Sequence, residues 1–365
     1  MRIGITCYPT YGGSGIVATE LGLELAARGH EIHFITYANP IRLGSGSEGV
    51  RYHEVEVSNY PLFQYPPYCL ALASRMAEVA ERHQLDLLHV HYAIPHSVSA
   101  LLAKQMMSRK RRLPVVTTLH GTDITLVGAE ASFFAITRFS IEQSDGVTAV
   151  SEYLARRTAE FFEVEKPVRV IRNFVNCSVY RPGPKARGQK VLLHVSNFRP
   201  VKRALDCIRI LREVRREVSA ELWMVGDGPD RSAAEKLSEE LGLTEHVKFL
   251  GKQDQVFRLM PQAHVLLMPS EHEAFGLAAL EAMACGVVPV ATDCGGVAEL
   301  ITPGVHGYLE RVGDVEGQAR RVVRLLSDVF HYEQMALAAR ARAESRFDAQ
   351  LVIPEYEHYY RELLE

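Results

Sequence analysis

Residues 2–36 read RIGITCYPTYGGSGIVATELGLELAARGHEIHFIT, and this stretch decides the architecture. The short apolar run RIGITC is followed by apolar residues at helical spacing from Ile16 to Leu25, then by a second apolar run, EIHFIT. Runs of that length read as strands and the longer periodic segment as a helix. Ser14 stands where a helix cap belongs, and Gly29 where a helix stops. The segment is therefore one βαβ unit, the repeating element of a parallel sheet.

The same alternation continues outward. DLLHVH (86–91), PVVTTLH (114–120), GVTAVS (146–151) and VRVIRN (168–173) are further strand candidates, with helical patterns between most of them. Pro182, Gly183, Pro184 and Gly188 then break both helix and strand, as an interdomain link near 175–188 would. Beyond it KVLLHVS (190–196), AELWMVGDG (220–228), HVKFLG (246–251), AHVLLMPS (263–270) and VVPVAT (287–292) restart the pattern. From about 314 the sequence is helical, with Pro354 marking an expected break before YEHYYRELL. The expectation is an α/β protein of two Rossmann-like, doubly wound parallel-sheet domains, 1–174 and 175–349, with 350–365 as a terminal helix.

Length and composition agree. A single core seldom grows past roughly 250 to 300 residues, and this chain has 365, with 47% hydrophobic content. Lys plus Arg number 41 against 44 Asp plus Glu, a formal charge of −3, so the basic excess of a nucleic-acid binder is missing. Six scattered cysteines form no C-x-x-C pair, and no histidines stand at zinc-ligand spacing, which argues against a disulfide framework or structural metal. With no secretory leader after Met1 and no apolar run of the ~18 to 20 residues that span a membrane, the expected setting is cytoplasmic. The basic cluster Arg109 to Arg112 reads as a solvated helix end, with an anionic-membrane patch as the alternative. Oligomeric state is left open, a homo-oligomer included.

Ligands of open parallel sheets bind beyond the carboxyl ends of the strands, and four turns there carry chemistry. Gly12-Gly13-Ser14-Gly15 opens the first helix, where glycines and free N–H groups suit a phosphate, although a tight turn alone also accounts for it. His120-Gly121-Thr122-Asp123 offers an imidazole to a hydroxyl or to developing charge, or a purely structural histidine. SNFRPVKR (196–203) crowds Arg199, Lys202 and Arg203 into one turn, suited to a diphosphate or else solvated. Glu273-Ala274-Phe275-Gly276-Leu277 leads into a helix carrying Glu281 and closing near Gly286, again with a helix N-terminus for an anion. At ~1.5 Å rise per residue the eight steps from Glu273 to Glu281 span about 12 Å at most, suited to opposite ends of a nucleotide sugar. The apolar sequence LAALEAMACG around Glu281 speaks against a solvated face.

Glu273 to Glu281 forms E-x7-E, and with the glycine turn, HGTD, SNFRPVKR and GDGP (226–229) nearly the whole chain resembles the retaining GT-B glycosyltransferases of the family-4 type. HVHYAIPH (89–96), TLHGTDIT (118–125), IEQSDGVTAVS (141–151) and FLGKQDQV (249–256) are similar to a branch of that family acting in bacillithiol biosynthesis. The resemblance implies transfer of N-acetylglucosamine from UDP-N-acetylglucosamine to L-malate with retained anomeric configuration, in a cleft between an acceptor-side and a nucleotide-sugar-binding domain. It also implies that the terminal helix crosses back onto the first domain.

Carried over by position, the resemblance makes His120, Lys202 and Glu273 catalytic. Glu273 should hold donor-sugar hydroxyls, Phe275, Gly276 and Leu277 should offer backbone, and Glu281 should hold the ribose. Lys202 should neutralise the diphosphate, and Gly13 should make room for phosphate. Relatives often show R-x4-K in the third turn; here Asn197 takes the Arg position, with Arg199 two residues on as the substitute charge. Ser14, Tyr92, Thr118, Arg138 and Asn173 are the acceptor candidates. Arg138 is the best partner for a malate carboxylate, with an ion pair to Glu142 one turn along the helix as the alternative.

No D-x-D occurs, so the usual short metal handle for a nucleotide sugar is missing, in keeping with a metal-independent reaction that needs no cofactor. The resemblance further implies same-face attack, the departing phosphate taking the acceptor's proton. Two rivals stay open: another acceptor (an inositol phosphate, a lipid or a sugar), and a nucleotide-sugar 2-epimerase on a similar fold.

Overall fold

The computed structural model describes residues 1–365 except 45–47, 58–61, 63, 110, 187 and 189. Lys110 of the basic cluster and Arg187 of the linking stretch therefore lie outside the described residues. Two parallel sheets account for the described strands. The first contains β1 (Arg2–Thr6), β2 (Glu31–Thr36), β3 (Val50–Glu54), β4 (Leu87–His91), β5 (Val115–Leu119), β6 (Gly146–Ala149) and β7 (Arg169–Val170), in the order β3-β2-β1-β4-β5-β6-β7. The second contains β8 (Lys190–Val195), β9 (Ala220–Val225), β10 (Val247–Gly251), β11 (Val265–Met268), β12 (Val288–Thr292) and β13 (Tyr308–Glu310), in the order β10-β9-β8-β11-β12-β13. Every neighbouring pair is parallel. The α/β, doubly wound reading of the sequence therefore holds.

Three details differ from expectation. Strand β3 has the sequence VRYHE and no fully buried residue, because an edge strand does not need the apolar run that marks a covered one. Strand β13 is only three residues long, YLE, and β7 keeps two of the six expected residues. Central strands behave as their composition requires: every residue of β4 and β5 is buried.

Helix Gly13–Ala27 follows β1 as read, and Gly29 at φ +87° ends it, its N–H donating to the Ala26 carbonyl. Its cap is Gly12, in extended conformation and with no side-chain bond; Ser14 lies inside the first turn and caps nothing. Near the C-terminus the break falls at Asp348, where φ −63° and ψ 138° separate helix Val329–Phe347 from Ala349–Leu364. Pro354 sits within that last helix, in its second turn, and does not divide it.

By packing, the chain forms one compact unit of Met1–Arg172 with Val352–Glu365, and another of Asn173–Leu351. In the first, Tyr356 and Tyr360 are fully buried, and the Tyr360 hydroxyl lies 2.7 Å from His89 Nδ1. The Val147 N–H donates to the Tyr359 hydroxyl, and Arg112 donates to the Leu363 carbonyl. Among the described residues no helix is long and apolar enough to cross a membrane.

Candidate active site

Strand order reverses between β1 and β4 in the first sheet and between β8 and β11 in the second. At such a switch point the turns after the two strands diverge and leave a crevice for a ligand. The four turns singled out by sequence follow β1, β5, β8 and β11, the last two flanking the second switch point directly.

In the first unit Gly13 is exposed at the start of its helix, whose first intrahelical bond runs from Ile16 N–H to the Gly12 carbonyl. The N–H groups of Gly13, Ser14 and Gly15 precede that bond and are the ones a helix offers to an anion. A Cβ at Gly15 would lie 2.3 Å from the Tyr8 carbonyl oxygen, so this residue must be glycine for the helix to start so close to the turn. After β4, Tyr92 adopts φ +90°, its ring stacked on His120 at 5.8 Å and edge-on to Tyr8 at 5.2 Å.

His120 Nε2 lies 2.8 Å from His91 Nδ1. Burial pushes His120 down to about 3, so at neutral pH it acts as a neutral imidazole and not as a cation. Its loop is held by Asp123, a fully buried residue that the sequence reading quoted without a role. The Asp123 carboxylate accepts from the N–H groups of Ala93, His120 and Gly121 at 3.1, 3.1 and 2.8 Å. Burial nevertheless raises Asp123 to about 6, outweighing those donors.

Two acceptor candidates change meaning. Thr118 is fully buried, with its hydroxyl shared between His89 Nε2 at 2.7 Å and the Thr148 hydroxyl at 2.6 Å. It orients His89 and has no surface to offer a ligand. Arg138 is exposed and donates to the Glu163 carbonyl at 3.1 Å, just past helix Glu152–Phe162; Glu142 instead accepts the Glu165 N–H. Neither the pairing with Glu142 nor a buried setting for a carboxylate is present. Asn173, 6% exposed, keeps its Oδ1 without a hydrogen-bond partner among the described residues, and such an orphan asks for a water or a ligand.

The buried imidazoles also set a pH dependence. His89, His91, His96 and His194 are held neutral, chiefly by burial: His89 is lowered to about 3, His96 and His194 to about 4, and His91 well below the ordinary imidazole value. Unfolding lets them bind protons near pH 6.5, so the unfolded state binds more protons and stability falls as the pH drops below that value. Asp123 acts in the opposite direction between about 4 and 6, one group against several. The melting temperature should fall by roughly 5–10 °C from pH 7 to pH 5; a flat profile by scanning calorimetry would contradict this assignment.

In the second unit β8 ends at Val195, and the turn behind it folds onto itself. His194 Nδ1 donates to the Leu267 carbonyl, leaving Nε2 to accept from the Ser196 hydroxyl at 2.8 Å, while Ser196 Oγ accepts the Phe198 N–H. The GDGP loop presses against this turn: Cβ atoms at Gly226 and Gly228 would fall 1.7 and 1.9 Å from the carbonyl oxygens of Ser196 and Asn197. These glycines and His194 build the turn, a role that the sequence pattern alone does not assign to any of them.

Lys202 closes the turn and reaches Glu273, Nζ to Oε1 being 2.6 Å, and the Ser270 hydroxyl donates to the same oxygen at 2.8 Å. Both partners are largely shielded, with side chains 24% and 13% exposed. Of the other cations, Arg203 is already bound by Asp206 at 2.6 Å and Glu271 at 2.9 Å, so it braces the turn. Arg199 is exposed and unbonded among the described residues, and Asn197 Oδ1 is buried without a partner there.

Gly276, at φ +95°, precedes helix Leu277–Ala284, whose first intrahelical bond runs from Leu280 N–H to the Gly276 carbonyl. The N–H groups of Leu277, Ala278 and Ala279 are thereby left for an anion. Phe275 is buried against Phe347 at 5.6 Å, so its side chain anchors the loop and only its backbone can face a ligand. Glu281 is 5% exposed, which removes the solvated-face reading. The helix closes at Gly286, φ +66°.

Comparison with known proteins adds an independent line. Residues 11–179 match the model for Glycosyltransferase Family 4, and residues 180–342 that for Glycosyl transferases group 1. Over its full length the chain is 46% identical to N-acetyl-alpha-D-glucosaminyl L-malate synthase of Bacillus anthracis, covering 97% of that protein. D-inositol 3-phosphate glycosyltransferase of Nocardia farcinica is 27% identical over 91% of this chain and 81% of its own. In fold, the chain is similar to sucrose-phosphate synthase from Thermosynechococcus elongatus, TM-score 0.84 at 20% identity over 100% and 99% of the two chains. Anabaena HepE, solved in complex with UDP-glucose, gives 0.82 at 21% identity over 99% and 100%. The chain belongs to the family-4 glycosyltransferases, retaining hexosyltransferases of GT-B fold.

Proposed function

We propose that the protein transfers N-acetylglucosamine from UDP-N-acetylglucosamine to the hydroxyl of L-malate with retention, the first step of bacillithiol biosynthesis. The observation that carries this reading is the 46% identity, end to end, to the N-acetyl-alpha-D-glucosaminyl L-malate synthase of Bacillus anthracis. Six free cysteines suit the reducing cytosol in which such a step would run.

The donor's diphosphate meets the N–H groups that open helix Leu277–Ala284. Lys202 leaves Glu273 for the phosphates, which frees the Glu273 carboxylate for sugar hydroxyls. What supports this is their 2.6 Å contact, in which the two charges neutralise one another. Asn197 and Arg199 line the same turn, Phe275, Gly276 and Leu277 supply backbone, and Glu281 holds the ribose. In the first unit Gly13 and Ser14 present N–H groups, His120 acts as a neutral hydrogen-bonding group for the transferred sugar, and Tyr92 fixes its ring. Asn173 offers its orphaned Oδ1 to the acceptor, and Arg138 serves malate only after leaving the Glu163 carbonyl.

In the transfer, the bond from the anomeric carbon to the diphosphate breaks while that to the malate oxygen forms on the same face. The malate proton passes to the departing phosphate oxygen, and fixed N–H groups with Lys202 stabilise the charge that develops there. Mass spectrometry of products from UDP-N-acetylglucosamine should show a malate glycoside and UDP only when L-malate is present. Conversion of the donor without malate would point to an epimerase; transfer to inositol phosphate in preference to malate would sink the acceptor assignment.

A further inference from the structure

Three histidines that lie far apart in sequence meet in the first unit. His33 on β2, His53 on β3 and His83 at the end of helix Tyr68–His83 each place a ring nitrogen within 4.8 Å of the other two. We propose that they form a binding site for one borderline divalent transition-metal ion, Zn2+ being the representative, separate from the transfer chemistry.

The atoms are arranged as such a site requires. Glu31 Oε1 lies 3.2 Å from His33 Nε2, so the carboxylate accepts the Nε2 proton and leaves the Nδ1 lone pair pointing at His53 Nε2, 2.9 Å away. A carboxylate behind a ligating imidazole fixes its tautomer and raises its basicity. Tetrahedral bonds of ~2.0–2.1 Å place ligand nitrogens about 3.3 Å apart. His33 and His53 need to open by only about half an ångström, and His83 to close by about 1.5 Å at most. His53 and His83 are half-buried and able to make that adjustment, whereas His33 is fully buried and fixed. All three are held neutral at pH 7, the ligating form, largely because burial disfavours their cations.

The charged neighbours decide which ion fits. Arg51 donates to His83 Nδ1 at 3.3 Å and pairs with Glu31 at 3.1 Å, and Arg75 and Arg82 also act on the cluster. The two nearby carboxylates, Glu31 and Glu78, are already paired with Arg51 and Arg75 at 3.1 and 2.7 Å, so hard cations such as Mg2+ or Ca2+, which need several oxygens, are disfavoured. Ions with strong affinity for imidazole are retained, and the exposed Arg51 turns aside to admit them. Because His83 ends its helix, the cluster lies toward the amino ends of the strands, away from the carboxyl-end turns that carry Gly13 and His120.

The test uses untagged full-length protein stripped with a chelator, titrated with Co2+ by visible absorption and with Zn2+ against a chromophoric chelator. One equivalent should bind, with Co2+ giving a low-symmetry d–d spectrum. His53→Gln and His83→Gln should each weaken binding at least tenfold, and Glu31→Gln more modestly, while circular dichroism and UDP binding stay unchanged. His33 is left intact because its burial makes a substitution there a folding defect. Absence of a stoichiometric ion, or equal affinity in wild type and both histidine variants, would overturn the proposal.

Discussion

Lys202→Ala should lower kcat by about 100- to 1,000-fold, the ~3 kcal/mol that one preorganised stabiliser of developing charge contributes. The ammonium ion sits 2.6 Å from Glu273 on a turn built by Ser196, His194 and the two GDGP glycines, so the turn holds it beside the site and it has only to swing from Glu273 to the phosphates. Removing it also leaves the Ser270 hydroxyl as the remaining partner of Glu273 Oε1 among the described residues. The loss should fall on the chemical step in single-turnover experiments, more than on KM for the donor. Lys202→Arg should not restore full activity, because the planar guanidinium has a different reach and hydrogen-bond geometry. Unchanged turnover in a normally folded Lys202→Ala protein would remove this residue from the mechanism.

The second large effect is structural. Gly226→Ala forces a Cβ to 1.7 Å from the Ser196 carbonyl oxygen, at φ +122°, where the obstacle is backbone and cannot move aside as a side chain would. The cost should exceed about 3 kcal/mol, a drop of roughly 10 °C in melting temperature for a unit of this size. Affinity for UDP should fall as well, since Ser196 heads the turn that carries Asn197, Arg199 and Lys202. Gly242→Ala is the matched control: φ is +67°, yet no atom lies within 4 Å of the new Cβ, so only the backbone penalty of about 1 kcal/mol remains. Equal losses at the two sites would show that close approach at Gly226 is not what shapes the turn.

Most of the architecture is legible in the sequence because central parallel strands, covered on both faces, are rich in Val and Leu, their few polar side chains being buried and hydrogen-bonded. LLHVH and VVTTL are fully buried and announce themselves; VRYHE, at the sheet edge, carries no such signal. Pro354 misleads because a proline in the second turn of a helix loses one hydrogen bond without stopping the chain, while Asp348 makes the actual break.

At the candidate site, the pairing of Lys202 with Glu273 spans 71 residues and follows from the strand order, which no local pattern states. The roles of Gly226 and Gly228 are invisible for the same reason, since each presses on a loop distant in sequence, and Asp123 and His194 each tie their own turn to a distant segment, Ala93 and Leu267. Thr118 shows the converse error. It stands beside the His120 turn in sequence, but β5 is covered on both faces and the Thr118 hydroxyl is taken by His89 and Thr148. The three clustered histidines escape any search by ligand spacing, since their intervals of 20 and 30 residues have meaning only after β2, β3 and the helix behind them have packed.

The claim on which the functional account turns is that a nucleoside diphosphate sits at the start of helix Leu277–Ala284. A crystal structure with UDP tests it most directly. The account predicts the phosphates within hydrogen-bond distance of the Leu277 and Ala278 N–H groups, Lys202 drawn from Glu273 toward them, and the ribose hydroxyls on Glu281. A nucleotide bound elsewhere, with Lys202 still on Glu273 and Glu281 making no contact to it, would contradict the account.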